Sequence, residues 1–429
     1  MNNRYSQSEK LLERALKTIP LGAQTFSKSK TQFPYGISPY FASRAEGAYL
    51  WDVDGNKYID FINSLASITL GYNDPDVTSA VRNQLDSGVI FSLSHELETK
   101  VAEAIVEMVP CAEMVRFGKN GSDATSGAIR LARAYTKKDY VLVCGYHGWQ
   151  DWYIGSTTRD SGVPQAVKEL THKFNYNDIK SLEDKFKELK GKVAAVILEP
   201  INVVEPTDNF LQKVKDLTHQ NGAVLIFDET ITGFRYANGG AQEYFGVIPD
   251  LATFGKGLAN GYPVSAVAGK TEIMKLMEEI FFSFTFGGET LSLAASLAVL
   301  DKMRREPVVE QLKKTGQEII DRLSNLIERY ELKYVFGVTG LPVWSFFTFK
   351  DTANNSMWGL KTLFMQEMLA NGILTYGTHN VSYSHSKEDI NALMDSYEKY
   401  FIKVKEIENG KNINDYLLCE PLVPLFKVR

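Results

Sequence analysis

Four short stretches put reactive or ligand-binding residues where apolar runs end. "LATFGKGLANGYP" sets Lys256 between two glycines, "AVLIFDET" closes five apolar residues with Asp228, "GKNGSDA" offers Gly121 and Ser122 ahead of a helical pattern, and "CGYHGW" carries Tyr146. A lysine amine held away from water loses basicity and can form a Schiff base with a carbonyl. A carboxylate at the end of a buried strand needs a partner, such as a protonated ring nitrogen. Backbone N–H groups and a hydroxyl at a helix N-terminus suit a phosphate, and an aromatic ring can stack on a planar ligand. Each residue also has a plainer reading: a solvated lysine, a structural ion pair, a helix cap, a core aromatic.

An amine, a carboxylate, a phosphate cradle and an aromatic plate converge on one cofactor, pyridoxal 5'-phosphate (PLP). The competing reading takes Gly255, Gly257 and Gly261 as a dinucleotide turn. Such a turn needs a helix directly behind it to hold the pyrophosphate. Pro263 and the strand-like "PVSAVAG" stand there instead, and Lys256 lacks the G-x-x-x-x-G-K-[ST] frame of a nucleotide-binding loop.

The elements that would carry these residues follow from periodicity. "EMVRF" predicts a strand ending near Phe117, and a helix should open near Ser122 and stop before Lys138. Strand "YVLVC", helix "DIKSLEDKFKELK", strand "VAAVIL", a helix over 210–220 and strand "AVLIF" ending at Asp228 continue a β-α-β-α-β order. That alternation predicts an α/β fold with a mostly parallel sheet, whose ligands lie at the carboxyl ends of the strands. Residues 1–18 read as an amphipathic helix and "GAYLWDVDGNKYIDF" as a hairpin turning at Asp54-Gly55. From about residue 306 the pattern predicts a smaller α+β lobe. The expected layout is 1–60 as an N-terminal segment of the small domain, 61–305 as the large cofactor-binding domain, and 306–429 as the C-terminal part of the small domain.

With 429 residues, 44% of them apolar, the chain can bury a large core. A net charge of -5 without a basic stripe argues against nucleic-acid partners and leaves small molecules as expected ligands. Three scattered cysteines fit a reducing cytoplasm, no apolar run reaches the roughly 18 residues of a membrane span, and the six histidines lack zinc-site spacing. No metal and no membrane partner are expected.

Several longer stretches resemble one family in one order: "EGAYLWDVDGNKYIDF", "MVRFGKNGSDATSGAIRLARAYT", "YHG", "LEP", "DETITGFR", "GGAQEYFGVIPDLATFGKG" and "TFGGET". Over most of residues 8–300 the chain resembles the class III, fold type I PLP-dependent aminotransferases, and within them the glutamate-1-semialdehyde aminomutase branch. The resemblance implies that Lys256 forms the Schiff base, that Asp228 holds the pyridine nitrogen, that Gly121 and Ser122 bind the phosphate, and that Tyr146 stacks on the ring. It further implies that Glu199 lines the pocket and that Thr285 reaches the phosphate of a neighbouring subunit, hence a homodimer with shared sites. The chain departs from the family at Asn120-Gly121-Ser122, where S-G-T is usual, and at Thr230, where valine is usual. The aminomutases' arginine for the substrate carboxylate falls near Lys28 and their pocket tryptophan at Leu65. Lysine lacks arginine's bidentate grip, so the expected activity is amino transfer from a donor, by analogy glutamate, to a polar aldehyde or ketone such as a keto-sugar. The aminomutase reaction is the alternative, and a non-catalytic PLP-fold binding protein a further one.

Overall fold

The computed structural model describes residues 3–423. Two compact units divide the chain: one takes residues through Leu65, Leu70–Asp74 and those from Glu310 on, the other Ala66–Thr69 and Pro75–Val309.

The second unit is built on a seven-stranded sheet. Its strands are β1 (Met114–Gly118), β2 (Tyr140–Cys144), β3 (Thr171–Lys173), β4 (Val193–Leu198), β5 (Val224–Asp228), β6 (Leu251–Phe254) and β7 (Ser265–Gly269), in the spatial order β1-β7-β6-β5-β4-β2-β3. All neighbours pair in parallel except β7, which runs antiparallel to both β1 and β6. Strands β4 to β7 are buried along their whole length, as continuous apolar runs require when helices cover both faces. Alternate residues divide between two cores. Val141, Val143, Ala195, Ile197, Val224 and Ile226 pack with α1 (Gly121–Thr136). Leu142, Val196, Leu198, Leu225 and Phe227 pack with α2 (Ile179–Glu188) and α3 (Phe210–Gln220). By this parity Asp228 falls on the α1 face, the same face as the helix that begins with Gly121.

The expected strands and helices of this block are present, with α1 stopping at a left-handed Lys137. The run "PVSAVAG" forms β7, so the glycines around Lys256 lead into one short 3-10 turn (Lys256–Ala259) and then a strand, without the long helix a dinucleotide turn needs. Beyond the expected set, the short edge strand β3 extends the sheet, and α4 (Thr290–Arg305) packs against the helix Pro75–Ser87.

In the first unit, helix Ser6–Ala15 occupies the centre of the expected N-terminal helix, whose residues 1–2 lie outside the described ones. Tyr49–Asp52 and Lys57–Asp60 form the expected hairpin. They lie in a four-stranded sheet with Ala42–Glu46 and Ile373–Leu374; Phe336–Leu341, Trp344–Phe349 and Thr378–His379 make a second, antiparallel sheet. Helix Met357–Ala370 escapes the sequence reading because ten of its fourteen residues are buried, which erases the amphipathic stripe that marks a helix. The backbone over Asn63–Ala66 makes a left-handed turn without a glycine, φ running from +46° to +64°. Asp60 Oδ1 anchors its start by accepting the N–H groups of Ile62 and Asn63 at 2.7 and 3.0 Å. Leu65 stands half-buried on that turn, while Lys28 is exposed.

Candidate active site

Asp228 closes β5 with its carboxylate only 4% exposed. Oδ2 lies 2.8 Å from His147 Nδ1, and Oδ1 accepts the Thr230 N–H and the Thr253 hydroxyl, each at 3.1 Å. Burial pushes this carboxyl up, but the His147 hydrogen bond and charge, with the bonds from Thr230, bring it below its ordinary value. The ring's other nitrogen, Nε2, sits 3.2 Å from the Cys144 carbonyl oxygen. Both ring nitrogens are engaged, Nδ1 by the carboxylate and Nε2 by the carbonyl. Asp228 thus has one oxygen against a ring nitrogen and the other against neutral donors, which leaves room for a cationic N–H.

The expected phosphate turn stands at the head of α1. Gly121 and Ser122 occupy its first positions, where amides have no acceptor inside the helix. Ser122 is buried, and its Oγ accepts the Trp149 N–H at 3.3 Å, leaving the hydroxyl hydrogen to donate elsewhere. Gly148, at φ +104°, lets the loop after β2 press onto this turn, because a Cβ there would lie 2.3 Å from Ser122 Oγ. The Thr230 side chain wedges between the turn and the lysine segment, its Cγ2 3.0 Å from where a Cβ on Gly121 would sit and 3.3 Å from one on Gly255. The expected departure from valine therefore places a hydroxyl-bearing side chain at the centre of the site.

Lys256 follows β6 by two residues and is half-exposed, while every other residue from Leu251 to Asn260 is buried. Its φ is +42°, the left-handed region that residues with side chains enter at a cost. Although glycines flank it on both sides, the strain sits on the lysine itself. Asp228 pairs in register with Thr253, so lysine and carboxylate end adjacent strands.

Tyr146 is half-buried, with its ring edge-to-face on Tyr153 at 5.7 Å between centroids. Glu199, buried at the end of β4, accepts the Tyr146 N–H at 2.9 Å and the Asn202 amide at 2.8 Å, so it sets the backbone that carries the ring. Thr285 is exposed on the turn ahead of α4, and no bond joins it to Gly121 or Ser122 of its own chain among the described residues. A cavity of about 440 Å³ lined by Cys144, Tyr176, Glu199 and Asn202 opens beside the site.

His147 and Thr253 were missed from the sequence. His147 neighbours Tyr146 in a stretch already singled out, but its reach to Asp228 becomes visible only when the strand order brings the ends of β2, β4 and β5 side by side.

The donor set fits PLP. Beside the amine, carboxylate and helix N-terminus, the Ser265 hydroxyl is buried without a hydrogen-bond partner among the described residues at the start of β7, 2.9 Å from a Cβ placed on Gly118, between the strands that lead to the expected phosphate turn and the lysine. An orphan hydroxyl at the carboxyl edge of a sheet is a place a polar ligand can satisfy.

Residues 32–401 match the aminotransferase class-III family. A 3-aminobutyryl-CoA aminotransferase of Cloacimonas acidaminovorans is 32% identical over 94% of this chain and 99% of its own length. A glutamate-1-semialdehyde 2,1-aminomutase of Alkaliphilus oremlandii is 40% identical over 75% of this chain and 80% of its own. Among solved structures, the FumI protein of Sphingopyxis sp. MTA144, in its PLP internal aldimine form, superposes with a TM-score of 0.88 at 28% identity, covering 96% of this chain and 99% of that one. An omega-transaminase from Sphaerobacter thermophilus does so with a TM-score of 0.83 at 27% identity, covering 92% and 97%.

Proposed function

The chain belongs to the class-III aminotransferases, enzymes whose cofactor is PLP, and on that premise we propose that it moves an amino group from a donor, with glutamate expected, to a polar aldehyde or ketone such as a keto-sugar. The observation that carries this reading is the placement of Lys256 and Asp228 after adjacent strands, on the sheet edge that also bears the Gly121-Ser122 turn. PLP, when bound, supplies an electron sink for the electrons left at the substrate carbon after its proton departs. Lys256 Nζ would hold the cofactor and, once freed by the donor amine, would take the proton from the amine-bearing carbon and deliver it to the carbon on the cofactor side of the nitrogen, the shift that leaves the amino group behind. Asp228, held ionised, keeps a proton on the ring nitrogen. Gly121 and Ser122 hold the phosphate, Tyr146 covers the ring, and Glu199 fixes Tyr146. The unit bearing the sheet serves as the cofactor domain and the other as the smaller domain.

The aminomutase reaction is the second reading, favoured by relatives such as that of Alkaliphilus oremlandii. Against it stand Lys28 and Leu65 at the positions where the resemblance puts the aminomutases' arginine and tryptophan. Screening donors with carbonyl acceptors by mass spectrometry tests the main reading; turnover of glutamate-1-semialdehyde to 5-aminolevulinate without a second substrate would overturn it. Reconstitution with PLP should bring a visible absorbance band that Lys256→Ala changes, and a protein that never takes up PLP removes both readings.

A homodimer belongs to the proposal, with Thr285 reaching the partner's phosphate. The segments that flank it are apolar and exposed: Phe281 and Leu93 at 84% each and Phe286 at 56%. They are brought together where the Thr290 N–H meets the Val89 carbonyl at 2.9 Å. Exposed apolar faces of this kind mark protein interfaces, and sedimentation at micromolar concentration should return twice the chain mass. A cytoplasmic setting is part of the same reading; no helix among the described residues is long and apolar enough to cross a membrane.

A further inference from the structure

We propose that Lys119 and Glu289 are positioning residues that form a clasp: they tie the phosphate turn to the start of α4, and this tie, rather than the lysine's charge, sets the grip on the phosphate end of the cofactor. The inference rests on the reading of Gly121 and Ser122 as the phosphate site.

Lys119 is the second residue before Gly121, between β1 and the turn. Its Nζ lies 2.9 Å from Glu289 Oε2, and the two side chains are only 17% and 14% exposed. Glu289 is itself fixed as the cap of α4: Oε1 accepts the Leu291 N–H at 2.7 Å and Oε2 the Ser292 hydroxyl at 2.5 Å. Burial pushes this carboxyl up, yet Ser292 and Lys119 bring it below its ordinary value, so it stays ionised. From the other side, Asp123 Oδ2 accepts the N–H groups of Lys119 and Asn120 at 3.1 and 2.8 Å. The turn is thus held from within its own helix by Asp123 and from outside by the Lys119 side chain. Glu289 also directly follows the turn that carries Thr285, so one ion pair fixes two segments of the phosphate-binding machinery relative to each other.

A lysine so near a phosphate site has a second reading, direct attraction of the anion. The two readings differ in sign. Removing the Glu289 charge would leave Lys119 an unneutralised cation, which should tighten binding of a phosphate carrying about -1.5 to -2 charges; a clasp, once opened, should weaken it. Geometry favours the clasp, because the ammonium is already committed to Glu289 and the pair is neutral as a whole.

The test titrates the full-length protein, stripped of cofactor, with PLP and with pyridoxal, which lacks the phosphate. Lys119→Met and Glu289→Gln should each weaken PLP about tenfold while pyridoxal changes less than about twofold, Lys119→Arg should stay within about threefold of the parent, and the double variant should be no worse than the worse single. The clasp is overturned if Glu289→Gln tightens PLP, if the two losses multiply in the double variant, or if pyridoxal weakens as much as PLP. Ser122→Ala separates the layers: no drop in the PLP-to-pyridoxal ratio overturns the phosphate-site reading and the clasp with it, whereas a drop there without one in Lys119→Met overturns the clasp alone. Should Glu289→Gln fail to fold by circular dichroism, Glu289→Asp decides: it keeps the charge but shortens the reach to Lys119, so the clasp expects weaker PLP binding, and PLP affinity equal to the parent's overturns it.

Discussion

Two aspartate–histidine pairs sit at opposite ends of the same sheet, and their difference separates the working end from the structural one. At the carboxyl end, Asp228 and His147 meet at 2.8 Å; at the amino end, Asp250 and His219 meet at 2.9 Å. Asp250 stands just ahead of β6 and is closed on every side: Oδ2 also accepts the Leu225 N–H at 2.8 Å, and Oδ1 pairs with Lys270 Nζ at 2.6 Å. It has the Lys270 ammonium on one oxygen, and its histidine is open to solvent, the side chain 40% exposed. Asp228 is sealed from water with its histidine, yet one of its oxygens meets only neutral donors. Equal distances therefore conceal unequal capacity. The amino-end carboxylate is satisfied by its own chain, whereas the carboxyl-end one has room for a ligand's positive charge.

The largest expected effect lies at the working end. Lys256→Ala should lower the transamination rate by on the order of 10⁴-fold with the circular dichroism spectrum unchanged, and measurable turnover near the parent's rate would break the assignment of that end as catalytic. Next, the same substitution at the two aspartates should split two observables. Asp228→Asn is expected to cost about 10³-fold in kcat, while Asp250→Asn leaves kcat alone and costs about 1–3 kcal/mol of stability in a denaturant titration. If Asp250→Asn instead reduced turnover as Asp228→Asn does, the contrast would be lost.

His147→Phe sharpens the comparison at a smaller scale. Without the imidazole, a cause that lowers the Asp228 pKa disappears, so the acid limb of the kcat/KM profile should move to higher pH with a rate loss of roughly tenfold; His219→Phe should leave that limb in place. The smallest effect belongs to Lys270. Its hydrogen bond to Asp250 holds its pKa above the ordinary 10.5, and although burial pushes Asp250 up, Lys270, Leu225 and His219 bring it below 3.8. The pair's contribution is thus present between these two limits. It is lost as pH falls through the aspartate's folded value and again as pH rises through the lysine's. Lys270 is 42% exposed, so Lys270→Met should lower the Tm by only about 1–2 °C near neutral pH, and the gap should close below the Asp250 value.

Much of the working end was legible because chemistry and periodicity coincide there. "AVLIF" predicts a buried strand, and a carboxylate that terminates such a run stands out. The glycines flanking Lys256 and the proline behind them exclude a dinucleotide turn for a reason of backbone geometry, and β7 bears that out. The histidine partner was not legible, since the loop after β2 reaches the end of β5 only through a strand order that local sequence does not encode. The same holds for Lys119 and Glu289, which are 170 residues apart in sequence. Helix Met357–Ala370 was hidden for the opposite reason: burial on every side removes the polar stripe. The strain at Lys256 was also out of reach, because flanking glycines suggest a relaxed backbone when the neighbours, not the glycines, decide φ.

That strain sets two selective pressures against each other at one position. The proposed chemistry requires a lysine, whereas a left-handed backbone favours glycine or asparagine, by roughly 1–2 kcal/mol over a residue with an ordinary side chain. While the amine is in use, the chain tolerates a residue that its fold disfavours. In a lineage released from the chemistry the balance reverses, and glycine or asparagine becomes the replacement that the scaffold itself rewards with added stability. The residue at this position would then tell apart descendants that still turn over substrate from those that keep only the shape.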